Sequence, residues 1–393
     1  MKIAFVLGEE SADRIGADLL RGLRRGSDEP IEAIGLGGDA MRAEGLESLF
    51  DIEDLSIIGI GAIVARLPKL LGRLRQTVDF LVAERPDAVV TIDSFTFTNR
   101  VALRFRTALP QTLIVNVVPP AIWAYRPQRA QALAAAVDHS FSLFPFEPAV
   151  LAEHGGPPAT YVGHPLMGNE RLARLIERDR LVGMRQPAAP PRLLILPGSR
   201  RGEISRLMDD FGRTFALLSE RIPGVTGVLP AIPRVRSLIE DKLKTWQVRP
   251  EVVEGEDAKW QAFASADAAL AASGTVALEL ALAGIPMALC YRVDPLTYLL
   301  RHMITAWTAA LPNFIAGHPL VPEHFHEFIR PEALARRLER LMTETPERHA
   351  QMAGFAEIRR AMSVPTSPGE TAAKLLLEQI ARRRLHSHSK TGA

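Results

Sequence analysis

RLLILPGSRRGEI (192–204) is the stretch from which the fold of this chain is read. Leu193, Leu194, Ile195 and Leu196 form an unbroken apolar run, the pattern of a strand buried on both faces. Pro197, Gly198 and Ser199 break it, and a helical pattern opens at Arg200. A strand, a small-residue turn and a helix in that order expose backbone N–H groups at the positive end of the helix. That is a cradle for phosphate. Gly198 and Ser199 would line it, and Arg200 and Arg201 would add charge-assisted bonds. The lysine of a P-loop and its spacing are missing. The plainer account is a tight turn carrying a solvated arginine pair.

Downstream, AASGTVALELALAGIPM (271–287) repeats the arrangement: strand, Ser-Gly-Thr turn, helix, Gly-Ile-Pro stop. Ser273, Gly274 and Thr275 stand at a helix N-terminus and can hold a second phosphate group, while Glu279, one turn on, can accept hydrogen bonds from a ribose. Simple helix capping by Ser or Thr competes with this reading. Two such turns in one half weaken the plainer account for both. Strands at 224–231, 250–255 and 286–292 complete the series.

Upstream, GMRQPAAPPR (183–192) carries Pro187, Pro190 and Pro191 and reads as a linker over 183–191. Before it, apolar runs at 2–8, 31–38, 87–94, 112–118, 139–146 and 160–165 alternate with helical stretches. This alternation predicts an α/β chain of two Rossmann-like domains with parallel sheets, 1–182 and 192–330. Residues 331–385 read as helices that either return to the first domain or exchange between protomers, and 386–393 as a frayed tail. Ligands of such sheets bind beyond the carboxyl ends of the strands, so the chemistry is expected in the cleft the two sheets face.

The composition narrows the function. Lys and Arg number 47 against 45 Asp and Glu, a formal charge of +2, which argues against a nucleic-acid binder. Cys290 is the sole cysteine, so neither an internal disulfide nor a cysteine zinc site is expected, in keeping with a reducing cytoplasm. No run approaches the ~20 apolar residues that span a bilayer, and the first residues lack a signal-peptide pattern. A cytoplasmic protein, resting at most on a membrane surface, is expected.

Candidate residues in the first half follow from the same strand-to-turn logic. GEESAD (8–13) places Glu9, Ser11 and Asp13 after the first strand, with Ser11 as a helix cap starting a helix there. It is not G-x-G-x-x-G, so no dinucleotide is indicated. Asp93 closes a strand and reads as a general base or as a cap for the next helix. PPAIWAYRPQR (119–129) sets Trp123 and Tyr125 beside Arg126 and Arg129, suited to sugar or phosphate recognition or to loop packing. His164 is a site residue or a hydrogen-bonded structural histidine. Between 57 and 82, Ile60, Ile63, Val64, Leu67, Leu70, Leu71 and Leu74 recur at helical spacing among Arg66, Lys69, Arg73 and Arg75. That stripe is a core-facing helix or a membrane-docking one. His318, His324 and His326 hint at a metal, but no matching third ligand accompanies a strand that would align His324 with His326, and no metal is assigned.

Taken in order, GEESAD (8–13), GLGGDAMRAEG (35–45), TIDSF (91–95), WAYR (123–126), PFE (145–147), YVGHP (161–165), LPGSRRGEI (196–204), ASGTVALE (272–279), LPNFIAG (311–317) and VPE (321–323) resemble the lipid-A-disaccharide synthase family over nearly the whole chain. The resemblance implies the GT-B architecture, a metal-independent inverting glycosyltransferase without a cofactor, and UDP held mainly by the second domain. It implies UDP-2,3-diacylglucosamine as donor, 2,3-diacylglucosamine 1-phosphate as acceptor, and work at the cytoplasmic face of the inner membrane. Under it, Arg200 neutralises the departing diphosphate and Asp93 activates the acceptor's 6-hydroxyl. Glu9, Ser11, Trp123, Arg126, His164 and Asn313 belong to the acceptor side of the cleft, and the 57–81 stripe meets the membrane.

Departures from the family pattern gather on the acceptor side. Thr96 and Thr98 replace an Asp and an Asn, Val117, Pro119 and Ala121 replace a Tyr and two Ser, Ala12 replaces a Gly, and His326 replaces a Gln. Two further readings therefore stand beside the family reaction. One is a diverged paralogue using a UDP-sugar with another acceptor, or an epimerase; the other is a non-catalytic nucleotide-sugar or lipid binder.

Overall fold

The structure, a computed structural model, describes residues 1–55, 60–182, 190–272, 274–294 and 306–391, and for 60–66, 178–182 and 386–391 the backbone only. The chain forms two compact units, Met1–Pro165 together with Val364–Ala393, and Leu166–Ser363.

The first unit is built on six parallel strands: β1 (Lys2–Val6), β2 (Glu32–Gly35), β3 (Ala88–Ile92), β4 (Leu113–Val117), β5 (His139–Ser142) and β6 (Ala159–Tyr161). They lie in the order β2-β1-β3-β4-β5-β6. Every residue of β3 and β4 is buried, which is why their sequences are near-continuous apolar runs rather than alternating ones. The chain winds to opposite sides of β1, so a topological switch point lies between β1 and β3.

Two helices distant in sequence finish this unit. Glu10–Gly26 packs against Pro368–Thr391. At Gly22 a Cβ would lie 2.7 Å from the Gly369 carbonyl, and the Gly369 N–H donates to Asp18 Oδ2 at 2.9 Å. Ala372, Ala373, Leu376 and Ile380 thereby join the core around β1 and β3.

The second unit repeats the plan with β7 (Arg192–Leu196), β8 (Thr226–Ala231), β9 (Glu251–Glu254), β10 (Ala268–Ala272), β11 (Met287–Tyr291) and β12 (Glu323–Phe325). All pair in parallel, in the order β12-β11-β10-β7-β8-β9. Here the switch point lies between β7 and β10, the two strands that carry the Gly198 and Gly274 turns.

Some expectations shift. The chain passes between units at 165/166 and 363/364, and 183–189 of the expected Pro-rich linker lie outside the described residues. Pro331–Met342 and Pro346–Met362 stay with the second unit; only the helix after Val364 rejoins the first, and it runs through the expected tail to Thr391. Ser11 is not a cap: the helix starts at Glu10 with Glu9 in the N-cap position. β12 ends at Phe325 and His326 opens a 3₁₀ turn, so His324 and His326 do not share a strand face.

Candidate active site

In the second unit the turn after β7 requires its glycine. Gly198 has φ +109°, and a Cβ there would sit 2.5 Å from Glu203 Oε2. Arg200 caps the helix Arg201–Arg221, with no β-branched residue in its first turn before Ile204. The N–H groups of the turn just before the helix are held by the helix's third residue. Glu203 Oε2 accepts from Ser199 N at 3.3 Å and Arg200 N at 3.4 Å, and Oε1 accepts from Arg200 Nη1 at 3.0 Å. A carboxylate thus occupies donors arranged as an anion would need them. Arg234 Nη2 donates to Ser199 O at 3.3 Å and steadies the turn.

The turn after β10 opens the helix Thr275–Leu282. Gly274, Thr275, Val276 and Glu279 face Gly198, Ser199 and Arg200 across a cavity of about 660 Å³, closed by Ile232, Gly255 and Lys259. Ser273 lies outside the described residues. Arg201 is exposed and is not among the residues lining it. Lys259, on the helix Glu256–Ser265, reaches Glu279 at 2.9–3.0 Å and lies over the Trp260 ring at 5.2 Å. Glu279 was legible from its motif. Lys259 was not, although its place in the first turn of a helix behind a strand and Gly255 is the same signal in weaker form. The cavity therefore offers two backbone turns, the Arg200 guanidinium, the Lys259 ammonium and three carboxylates, of which Glu203 is paired with Arg200 and Glu279 with Lys259. That inventory suits a nucleoside diphosphate.

In the first unit the carboxyl ends of β1, β3 and β4 converge on Glu9 and Asp93. Asp93 and Ser94 have φ of +50° and +44°, and Val118, just past β4, has +64°. Three non-glycine residues of this kind at the ends of two neighbouring strands mark stored strain, most costly at β-branched Val118. Backbone bonds hold them: Asp93 N to Val117 O at 3.0 Å, Val118 N to Phe141 O at 3.0 Å, and the Thr98 hydroxyl to Asp93 O at 2.8 Å. Asp93 Oδ1 accepts from Ser94 N at 2.7 Å. Burial raises the Asp93 pKa, and the Ser94 N–H only partly opposes it. Glu9 is raised too, first by burial, then by the Asp93 charge. Two nearby carboxyls whose protonated forms are favoured are the material of acid–base chemistry.

Asp13, the third acidic residue of GEESAD, is buried and does a different job. Its carboxylate accepts from the N–H groups of Gly38, Ala40 and Met41 at 2.7, 2.8 and 3.1 Å. It caps the short helix after β2, and a Cβ at Gly38 would lie 2.7 Å from Asp13 Oδ2. The two motifs are therefore one structural element. Ser11 is exposed on the first helical turn beside it.

Trp123 and His164 meet on Phe144. Trp123 is edge-on to Phe144 and Phe146, at 6.5 and 5.6 Å, and His164 tilts over Phe144 at 5.2 Å. The Trp123 Nε1–H donates to Glu147 Oε1 at 3.2 Å, and Glu147 Oε2 accepts from the N–H groups of Leu143 and Phe144. Burial pushes Glu147 up to about 7 and His164 down to about 4, so the imidazole is neutral at physiological pH. Arg126, at φ +54°, stacks its guanidinium over Tyr125 at 4.7 Å. PFE was visible in the sequence, but Glu147 as the anchor of Trp123 was not.

Asn313 is placed differently from the acceptor-side role read for it. It is buried, donates to Thr308 Oγ1, Val321 O and Glu323 Oε2 at 3.1–3.2 Å, and accepts from Leu320 N and Val321 N at 3.0 and 2.8 Å. Its amide is used up in tying the loop to β12. Asn313→Ala is therefore expected to lower stability by about 2–3 kcal/mol, because buried donors lose their acceptor. Chemical denaturation checks this, and an unchanged midpoint would return Asn313 to the list of ligand contacts.

The apolar stripe splits on the helix Ile60–Glu84. Leu74 and Leu81 are in the core, Leu70 is half-buried, and Leu67 and Leu71 are exposed. The side chains of Ile60, Ile63 and Val64 lie outside the described residues. Lys69 and Arg73 are both paired with Asp54, so neither is a spare cation for an anionic surface. His318 Nδ1 contacts its own Ala316 carbonyl, and no group of three metal-binding side chains occurs among the described residues.

Comparison with known proteins bears on both units at once. A family model described as Lipid-A-disaccharide synthetase matches residues 3–373. The chain is 42% identical over 381 residues to a lipid-A-disaccharide synthase of Nitrobacter hamburgensis, covering 96% of each chain. It is 43% identical over 378 residues to one from Rhodopseudomonas palustris strain BisB18, covering 96% of this chain and 95% of that one. Among solved structures, a Neisseria meningitidis UDP-GlcNAc 2-epimerase bound to UDP-GlcNAc superposes with TM-score 0.57 at 14% identity, covering 97% of this chain and 100% of that one. The N-terminal domain of a Candida albicans trehalose-6-phosphate phosphatase does so with TM-score 0.56 at 8% identity, covering 97% of both. At those identities the two structures report the shared two-sheet fold alone.

Proposed function

Because the chain belongs to the lipid-A-disaccharide synthase family and is a glycosyltransferase of lipid A biosynthesis, we propose that it transfers a 2,3-diacylglucosaminyl group from UDP to 2,3-diacylglucosamine 1-phosphate. The observation that carries this is the cavity at the switch point of the second sheet, where two turns, Arg200, Lys259 and Glu279 meet. The uridine diphosphate takes the turn N–H groups there, Arg200 leaves Glu203 for the diphosphate, and Glu279 receives the ribose hydroxyls. The reaction is one inverting displacement. The acceptor 6-oxygen bonds to the sugar C1 as the bond from C1 to the diphosphate oxygen breaks, its electron pair leaving with UDP. The proton of that hydroxyl passes to Asp93. Charge developing on the departing diphosphate is met by donors already in place, which is where most of the rate gain of such a site arises.

Leu67 and Leu71 form the contact with the inner-membrane surface on this reading, since they are the exposed members of the stripe among its described side chains. No helix among the described residues is long and apolar enough to cross a membrane.

The test is turnover of purified protein with UDP-2,3-diacylglucosamine and 2,3-diacylglucosamine 1-phosphate in detergent micelles. Disaccharide and UDP formed in equal amounts are expected. UDP binding without disaccharide would move the search to another acceptor and give weight to the altered residues around Thr96, Thr98 and Val117. Conversion of the UDP-sugar without any acceptor would make it an epimerase.

A further inference from the structure

Exposed large apolar side chains of the second unit are not scattered. Among the described residues they are Ile232, Val293, Trp307, Phe325 and Phe328, the last three 54%, 40% and 60% exposed. Ile232 follows β8 and lines the cavity. Val293 follows β11, Phe325 ends β12, and Phe328 closes the turn after it. Trp307 leads into Thr308, whose hydroxyl is bonded to Glu323 at the head of β12. Ile232, Val293, Phe325 and Phe328 thus belong to the sheet edge that carries the nucleotide cavity, whereas Trp307 is joined to the amino-terminal residue of β12. Exposed aromatics concentrated on one edge mark a binding surface, not chance.

The rim is held in place. Phe325 stacks on Tyr291 with centroids 4.6 Å apart and planes at 13°. Arg292 bonds His326 O at 3.2 Å and Asp210 Oδ2 at 2.5 Å, fixing the turn between Phe325 and Phe328. Aromatics mounted on hydrogen-bonded backbone contribute contact area at little entropic cost.

We infer that this rim, Val293, Phe325 and Phe328, is the subsite for the fatty acyl chains of the UDP-linked donor. The inference rests on the nucleotide-sugar reading of the adjoining cavity. With the diphosphate at the turns after β7 and β10, the sugar projects past the ends of β10 and β11. β12 lies two strand spacings from β10, roughly 10 Å, which long acyl chains attached to that sugar readily cover. Their burial on the rim removes apolar surface of both partners from water. An anionic bilayer is the poorer occupant. Among the described residues Glu327 and Arg330 lie beside the rim one for one, and Arg292 is already paired with Asp210. Surfaces built for anionic lipid carry a clustered positive excess.

The experiment compares Phe325→Ser and Phe328→Ser with the unaltered full chain by calorimetric titration of UDP and, separately, of UDP-2,3-diacylglucosamine. Both positions are solvent-facing, and circular dichroism confirms that each variant is folded. The expected result is a UDP Kd within about twofold of the original in both variants and an acylated-donor Kd raised about tenfold, a loss of roughly two methylene burials. Unchanged donor affinity in both variants overturns the subsite while leaving the nucleotide site intact. Loss confined to co-sedimentation with anionic vesicles would assign the rim to the bilayer instead. A change in sedimentation coefficient without one in donor affinity would assign it to a second copy of the chain. Absence of UDP binding by the unaltered protein would remove the nucleotide reading itself, and this subsite with it.

Discussion

Asp93→Asn is expected to lower kcat by about 10²–10⁴-fold while leaving the Kd for UDP unchanged. The side chain that would take the acceptor proton stands in the first unit, and the groups proposed for the nucleotide stand in the second, so the two effects separate. The residue following β3 tolerates the exchange, because Asn accepts a φ of +50° as readily as Asp does. The pH dependence has a definite sign. Burial raises the Asp93 pKa, so the basic form is lost, and kcat falls, at a higher pH than for an ordinary aspartate. Stability moves the other way: a folded pKa above the unfolded one stabilises while the group is protonated, and that contribution is lost as pH rises through the folded pKa. At neutral pH the Asn variant is therefore expected to melt no lower than the original. Weakened UDP binding, or a kcat within tenfold of the original, would make Asp93 a structural residue of its strained strand end.

Arg200→Ala is the second large effect, a fall in kcat/KM of about 10²–10³-fold. Its partner in the structure is Glu203, and both lie at a solvent-exposed helix start, where an ion pair adds little to stability. The melting temperature is thus expected to hold while turnover collapses. Arg200→Lys recovers only part of the loss, since an ammonium lacks the two-pronged geometry that grips a diphosphate. Near-normal turnover by the Ala variant would sink the leaving-group assignment.

What the sequence discloses, and what it withholds, divides along physical lines. Strands such as LLIL in β7 and AVVTI in β3 are buried on both faces, so their chemistry is local and visible. β12 is three residues, Glu-His-Phe, at a sheet edge, and carries no such pattern. Gly198 and Glu279 are legible because turn and helix sit together in the chain. Lys259 meets Glu279 only through folding, and Glu147 finds Trp123 across 24 positions. Asp13 was visible as a motif member, yet its duty depends on Gly38, 25 positions away. Proline content marked 183–191 as the boundary, whereas the chain changes units directly after Pro165. Asn313 shows a related limit: a polar residue in a motif says nothing of whether its bonds point outward or into its own loop.

The closing of the first unit by Pro368–Thr391 has a consequence for biosynthesis. The second unit is one uninterrupted segment, Leu166–Ser363, set between the two parts of the first. On the ribosome, the helix Glu10–Gly26 therefore presents the face around Gly22 to solvent until the whole of the second unit has been translated. All six strands of the first sheet are in hand once Tyr161 is made, but that unit stays open on this helix face, whereas the second unit has every element it needs by Ser363. The nascent chain therefore carries an apolar helix face for a chaperone to shield throughout that interval.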